Sequence, residues 1–163
     1  MCIILNIIPN VYWVYNNPNK VLQKNEYNIE LQRYSEMFNI KTMLDLDDKL
    51  SFWHNSRQYI NEIKVEMEKN EFSKLYAILQ KTLDIIKTSY ITNSTIIIST
   101  YSQNHIELGL AIWIYFFNIN ANMAFNDVIK LMAYKIIGNI LMSDTLKKFF
   151  AFLNIKHTSE KYI

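Results

Sequence analysis

Cysteine is almost missing from this sequence: Cys2 is the only one in 163 residues. A single thiol excludes an internal disulfide and any zinc site built on cysteines, and it suits a reducing compartment inside the cell, cytoplasmic or nuclear. Dense basic runs are missing too, and the formal charge is only +2. A nucleic-acid-binding face normally carries a stripe of Lys and Arg, so that class of partner is set aside. No apolar stretch is long enough to cross a bilayer, so no membrane partner is expected. The apolar N-terminus is interrupted by Asn6, Pro9 and Asn10 and has no basic run before it, which argues against a signal peptide. His54, His105 and His157 make no ligand pattern, and neither a metal nor a cofactor is expected. Internal repeats and linkers are absent as well.

What is present is a globular composition. Half of the residues are hydrophobic and a fifth are charged, enough to bury the core of one domain spanning 1–163. The tail 154–163 is expected to fray. Heavy use of Asn, Ile, Lys and Tyr matches an AT-rich genome, such as that of a large DNA virus or a parasite.

The chain reads as alternating strands and helices, closed by a run of helices. Cys2 to Tyr15 is rich in Ile, Val, Tyr and Trp and predicts one or two strands around Pro9, followed by a turn at Asn16-Asn17-Pro18-Asn19. Ile29, Leu31, Tyr34, Met37 and Phe38 recur at helical spacing, so Asn28 to Phe38 is a helix that Asn39 can end. Ile40 to Leu46 is a strand with Asp45, Asp47 and Asp48 at its end, a loop of solvated carboxylates rather than a metal site. Leu50 to Ser56 is a loop or one helical turn, with Trp53 and His54 partly buried there. Tyr59 to Val65 alternates as a strand. Phe72, Leu75, Ile78, Leu79, Leu83 and Ile86 form the apolar stripe of a long helix from Glu68 to Tyr90.

Thr95 to Ser99 is a β-branched run, the mark of a strand buried on both faces. Leu108 to Phe117 is an unbroken apolar core helix. Between them lies a polar loop at a helix N-terminus, where free N–H groups and the helix dipole suit an anion. After a turn at Asn118 to Asn122, Phe125, Val128, Ile129, Leu131, Met132 and Ile136 make another helix, with Asn126 and Asp127 at its start. Gly138-Asn139 breaks it. Ser143 caps a last helix through Leu153, with Leu146, Phe149, Phe150 and Leu153 facing in. This order predicts an α/β fold, a small mostly parallel central sheet with helices on both faces.

Four stretches carry a family resemblance. IIPNVYWV with its Asn/Pro turn, NIKTMLDL, ANMAFNDVIKLM after an apolar helix, and SDTLKKFFAFL resemble, in order, the opening strands, second motif, rear helix pair and closing helix of the cysteine-dependent dual-specificity protein phosphatases. The resemblance implies that family's three-layer sandwich. Its defining loop, His-Cys-x-x-Gly-x-x-Arg-Ser/Thr, then falls on Ser99 to Glu107. Thr100 stands at the nucleophilic cysteine, Gln103 at the glycine, Ile106 at the arginine and Glu107 at the hydroxyl residue. Met67, flanked by Glu66 and Glu68 at the end of the strand EIKVEME, stands at the general-acid aspartate.

Each replacement removes chemistry. The reaction needs a thiolate, and a threonine hydroxyl without a base is a weak nucleophile. Isoleucine cannot give the paired charged hydrogen bonds that hold a phosphate. The Glu107 carboxylate, about 5 Å from a phosphate at an effective dielectric of ~20, would repel it by roughly 3 kcal/mol per unit charge pair. Glutamine is poorly suited to the tight turn that glycine permits.

The resemblance therefore implies a pseudophosphatase, a catalytically inactive protein-interaction module. Its expected partners are another protein (a phosphoprotein or an active phosphatase) or a second copy of itself. The expected binding residues are Tyr101, Gln103, Asn104, His105 and Ile106. At the old pocket, Ile106 either joins an apolar patch with Tyr101 and Met67 or turns inward to fill the arginine's space. The alternatives are a residual phosphopeptide-binding module, an α/β domain unrelated to phosphatases, and an enzyme using His105 and Glu107 as a base pair. A lone His105 most simply reads as a surface or capping residue.

Overall fold

The computed structural model describes residues 2–50, 61–136, 144, 146–151 and 153; for 61–70 and 125 it describes the backbone alone. In chain order the elements are β1 (Cys2–Ile8), β2 (Val11–Asn16), α1 (Lys24–Met37), β3 (Thr42–Asp45), the single turn α2 (Leu46–Lys49), α3 (Asn61–Thr92), β4 (Ile96–Thr100), a 3₁₀ turn (Gln103–His105), α4 (Ile106–Asn120) and α5 (Phe125–Ala133). Residues 144, 146–151 and 153 are helical and close the chain.

The β-branched run does what its composition predicts. β4 lies between β2 and β3, parallel to both, and all five of its residues are buried. β1 is added antiparallel beside β2, giving the order β1-β2-β4-β3. One face of the sheet meets α1: Cys2, Val14 and Ile97 pack with Tyr27 and Leu31. The other face meets the remaining helices: Trp13, Tyr15 and Ile98 pack with Leu79, Ile86, Trp113, Val128 and Phe149. The architecture is an α/β/α sandwich around a small, mostly parallel sheet, as expected. In the predicted stripe of α3, Phe72, Leu75, Leu79, Leu83 and Ile86 are buried and Ile78 is half-buried.

Several boundaries are corrected. The segment predicted as a strand to Val65 is helical from Asn61 onward. Ile63 and Val65 suggested a strand, but Glu62, Lys64, Glu66, Glu68 and Lys69 favour helix. Extending an existing helix is also cheaper than nucleating a strand beside it. α1 starts at Lys24 and not at Asn28, and a one-turn helix forms at Leu46–Lys49, just before the expected loop or turn from Leu50, of which 51–56 lie outside the described residues. α4 absorbs the expected turn as far as Asn120. Trp53, His54, Gly138-Asn139, Ser143 and the tail 154–163 lie outside the described residues.

A chain with two glycines needs another residue wherever the backbone turns left-handed. Among the described residues asparagine takes that role four times: Asn10 in the β1–β2 turn, and Asn39, Asn93 and Asn122 after α1, α3 and α4, with φ of 68°, 53°, 57° and 51°. Asparagine tolerates this region better than other side chains with a Cβ. Asn10 and Asn93 also join across the fold, Nδ2 to Oδ1 at 3.0 Å, tying the hairpin to the end of α3.

One glycine is required by close approach. A Cβ at Gly109, in the first turns of α4, would lie 2.6 Å from Trp13 Cζ2 and 2.9 Å from its Nε1. Trp13 is fully buried and its rigid ring has nowhere to move. Gly109→Ala should therefore lower stability by about 1–3 kcal/mol despite alanine's better helix propensity. Urea denaturation measures this, and a variant as stable as the wild type would mean that α4 does not seat against the indole.

Candidate functional site

Ligands in α/β sheets bind beyond the carboxyl ends of the parallel strands. Here that place is the turn from β4 to α4, residues 101–105, and the resemblance put its functional residues in the same place. The strand runs one residue further than predicted, to Thr100, and α4 begins two residues earlier, at Ile106.

An aspartate from the neighbouring strand fills the turn. In the parallel register Asp45 lies beside Ser99, so two residues further on Asp47 comes abreast of Tyr101. Asp45 caps α2, its Oδ1 accepting from the Asp47 N–H at 3.0 Å. This starts a helical turn that aims the Asp47 side chain across to the β4 loop. Its carboxylate accepts from the Tyr101 N–H at 2.7 Å, the Ser102 N–H at 2.9 Å and His105 Nδ1 at 3.0 Å. A carboxylate only accepts, so His105 carries its proton on Nδ1. Two of the turn's N–H groups, those of Tyr101 and Ser102, are therefore bonded to the protein's own carboxylate. Burial alone would raise the Asp47 pKa. The hydrogen bonds from His105 and from the Tyr101 and Ser102 N–H groups outweigh it and hold the carboxyl below its ordinary range.

The expected site residues come together in one turn but divide by burial. Thr100, at the nucleophile position, is fully buried, and its Oγ1 accepts from Trp13 Nε1 at 3.1 Å. That hydroxyl faces the core and not a pocket. Ile106 is 3 % exposed, so of the two alternatives it fills space inside and adds nothing to a surface patch. Glu107 is buried in the first turn of α4. His105 is buried, paired with Asp47 and stands at the N-cap of α4, which corrects the surface half of its reading as a surface or capping residue. Asp47, expected among solvated carboxylates, has a side chain only 17 % exposed.

Met67 sits within α3 and not at a strand end, so nothing places it where a general acid is held. Gln103 and Asn104 are exposed, and Gln103 Nε2 donates to the Asn16 carbonyl at 3.3 Å. Tyr101 is half-buried, its ring 5.2 Å from that of Tyr27 and 4.7 Å from the Lys24 ammonium.

Cys2 lies at the same end of the sheet as this turn, opposite Asn16 in the β1–β2 register. Its thiol is buried among Val14, Tyr27, Leu31 and Ile97. Burial, with the Glu30 carboxylate beside it, pushes its pKa up to about 12, which leaves it unreactive at neutral pH. Among the described residues no cluster of three or more His, Cys, Asp and Glu is arranged to hold a metal, and no helix is long and apolar enough to cross a membrane. Sequence reasoning missed the role of Asp47 and the Trp13–Thr100 hydrogen bond. The available signal was Asp-x-Asp closing a strand, a helix cap followed by a second carboxylate. No protein-family model, curated protein or solved structure matches the chain.

Removing the carboxylate should loosen the whole turn. Asp47→Asn keeps one acceptor oxygen and loses the charge, a cost of roughly 2–3 kcal/mol at neutral pH. The folded carboxylate holds its proton less tightly than the unfolded one, so between the two pKa values the unfolded state binds more protons. The contribution of Asp47 is complete above the ordinary aspartate pKa of ~3.9 and is lost as pH falls through the depressed folded value. Chemical denaturation of wild type and Asp47→Asn should show a constant gap from neutrality down to about pH 4.5, narrowing only below it. A gap that closes between about pH 7 and 5 would contradict this assignment.

Proposed function

We propose that this chain is a non-catalytic α/β/α binding domain in which the loop after β4 is a structural joint. The observation that carries the proposal is the Asp47 carboxylate on the N–H groups of Tyr101 and Ser102. A phosphate at the same donors would have to displace a bonded, hydrogen-bond-satisfied carboxylate. It would also meet a like charge at close range, worth several kcal/mol at the dielectric of a partly buried site.

Three further features favour this reading over an enzyme. The hydroxyl at the nucleophile position is spent on Trp13, the residue at the phosphate-clamp position is core, and His105 is bound to Asp47. The residual phosphopeptide reading requires free loop N–H groups and is the weaker one. The reading holds for a degenerate phosphatase relative and for an unrelated α/β domain alike, since it rests on the contacts of Asp47 and not on a match to the phosphatase motif.

The test is direct. The 163-residue chain should give no turnover of an aryl phosphate or of phosphotyrosine and phosphothreonine peptides, and millimolar inorganic phosphate should leave its melting temperature where equal ionic strength of chloride leaves it. Asp47→Ala, which vacates the donors, should acquire a phosphate-dependent rise in melting temperature. Turnover by the wild type, or phosphate stabilisation that Asp47→Ala abolishes, would overturn the proposal.

A further inference from the structure

A second concavity lies at the opposite end of the sheet, independent of the Asp47 turn. β4 begins there, with the Ile96 N–H on the Asn10 carbonyl at 2.9 Å. The tip of the β1–β2 hairpin and the last turns of α3 and α4 leave a groove of about 450 Å³ between them. This falls within the range of small-molecule sites. Its walls are Ile8 and Pro9 from the hairpin, Ile86 and Tyr90 from α3, and Phe116 from α4. Ile91 stands at its mouth, 79 % exposed, beside Tyr90 at 56 %. Large apolar side chains left in water around a concave apolar floor mark a binding surface rather than ordinary scatter.

Among the described residues that line the groove, one carries a formal charge. Lys87 lines it, is exposed, and has no ion-pair partner among the described residues. The ends of two helices would ordinarily place unsatisfied carbonyls here and repel an anion. In this fold some of the carbonyls near these ends gain partners. Thr92 Oγ1 donates to the Thr88 carbonyl at 2.7 Å and the Ser94 N–H to Ser89 at 3.0 Å. Asn120 Nδ2 donates to the Phe116 carbonyl at 3.0 Å, and the Ala121 N–H to Phe117 at 3.1 Å. The negative ends of α3 and α4 are thus partly satisfied, and the Lys87 ammonium is the charge a ligand meets.

We infer that this groove binds a small amphipathic carboxylate: an apolar body the size of a medium-chain acyl group against Ile8, Ile86 and Phe116, with its carboxylate paired to Lys87. The charge complementarity selects the anion, and the concave apolar walls select a small apolar body.

The test titrates decanoate, kept below its micellar concentration, into the full ¹⁵N-labelled chain, with decanol as the uncharged control. Lys87→Glu and Ile91→Glu alter exposed side chains, and circular dichroism checks that both variants remain folded. The expected result is saturable movement of the Ile86, Tyr90, Ile91 and Asn120 amides. Lys87→Glu should weaken decanoate binding by about tenfold and leave decanol nearly unchanged, while Ile91→Glu should weaken both. Lack of saturable movement, movement at residues away from the groove, or equal weakening of decanoate and decanol by Lys87→Glu would overturn the assignment. The last result would reduce the groove to non-specific apolar uptake, and the one before it would point to a surface that another protein covers.

Discussion

The hydrogen bonds of the Asp47 carboxylate organise the carboxyl end of the parallel strands. A partly buried carboxylate must find donors, and a chain leaving a buried parallel strand for a helix must find acceptors for its first N–H groups. Each need meets the other here. The fit depends on the β3–β4 register, which brings Asp47 abreast of Tyr101, and on Asp45, which turns the chain through α2 at the right point. It also fixes the His105 ring, and through it the entry into α4. The loop that an anion-binding α/β protein leaves open is thereby closed by a side chain two residues beyond the neighbouring strand.

Behind this turn the packing is governed by the scarcity of glycine. Left-handed positions fall to asparagine, whose side chain can also bond, as Asn10 does with Asn93. Gly109 is kept where Trp13 leaves no space for a Cβ. The same Trp13 uses its indole N–H on Thr100, so the residue that sets the distance between sheet and α4 also satisfies the last hydroxyl of β4. Sheet–helix packing and the chemistry of the turn are therefore not separable: a change at Trp13 reaches both.

Much of the fold was legible in the sequence because it follows from periodicity and composition. The Ile run of β4, the stripe of α3 and the apolar block of α4 each read directly as a buried strand, an amphipathic helix and a core helix. The start of α3 was misread because Ile63 and Val65 mimic strand alternation, while the helix that absorbs them is set by its neighbours. The sequence drew attention to the turn after β4 but not to the residue that fills it. The phosphatase motif directs attention along the chain from Thr100 to Glu107, whereas the residue that determines the loop's chemistry is Asp47, supplied by the adjacent strand. Register is a property of pairing, and no local pattern states it. Burial at Ile106 and His105 was equally hidden, since both residue types occur on either side of a surface.

The two ends of the sheet thus have different characters. At the carboxyl end the polar groups of the turn are bonded to one another; at the opposite end an apolar groove with one cation is open to solvent. The central claim concerns the first. It is tested most directly by following the amide protons of Tyr101 and Ser102 together with the side-chain carboxyl carbon of Asp47 by NMR. The account predicts that all three titrate with one midpoint below the ordinary aspartate range, and that inorganic phosphate at neutral pH leaves both amides unmoved. Amides that ignore the titration of Asp47, or that shift saturably with phosphate, would contradict it.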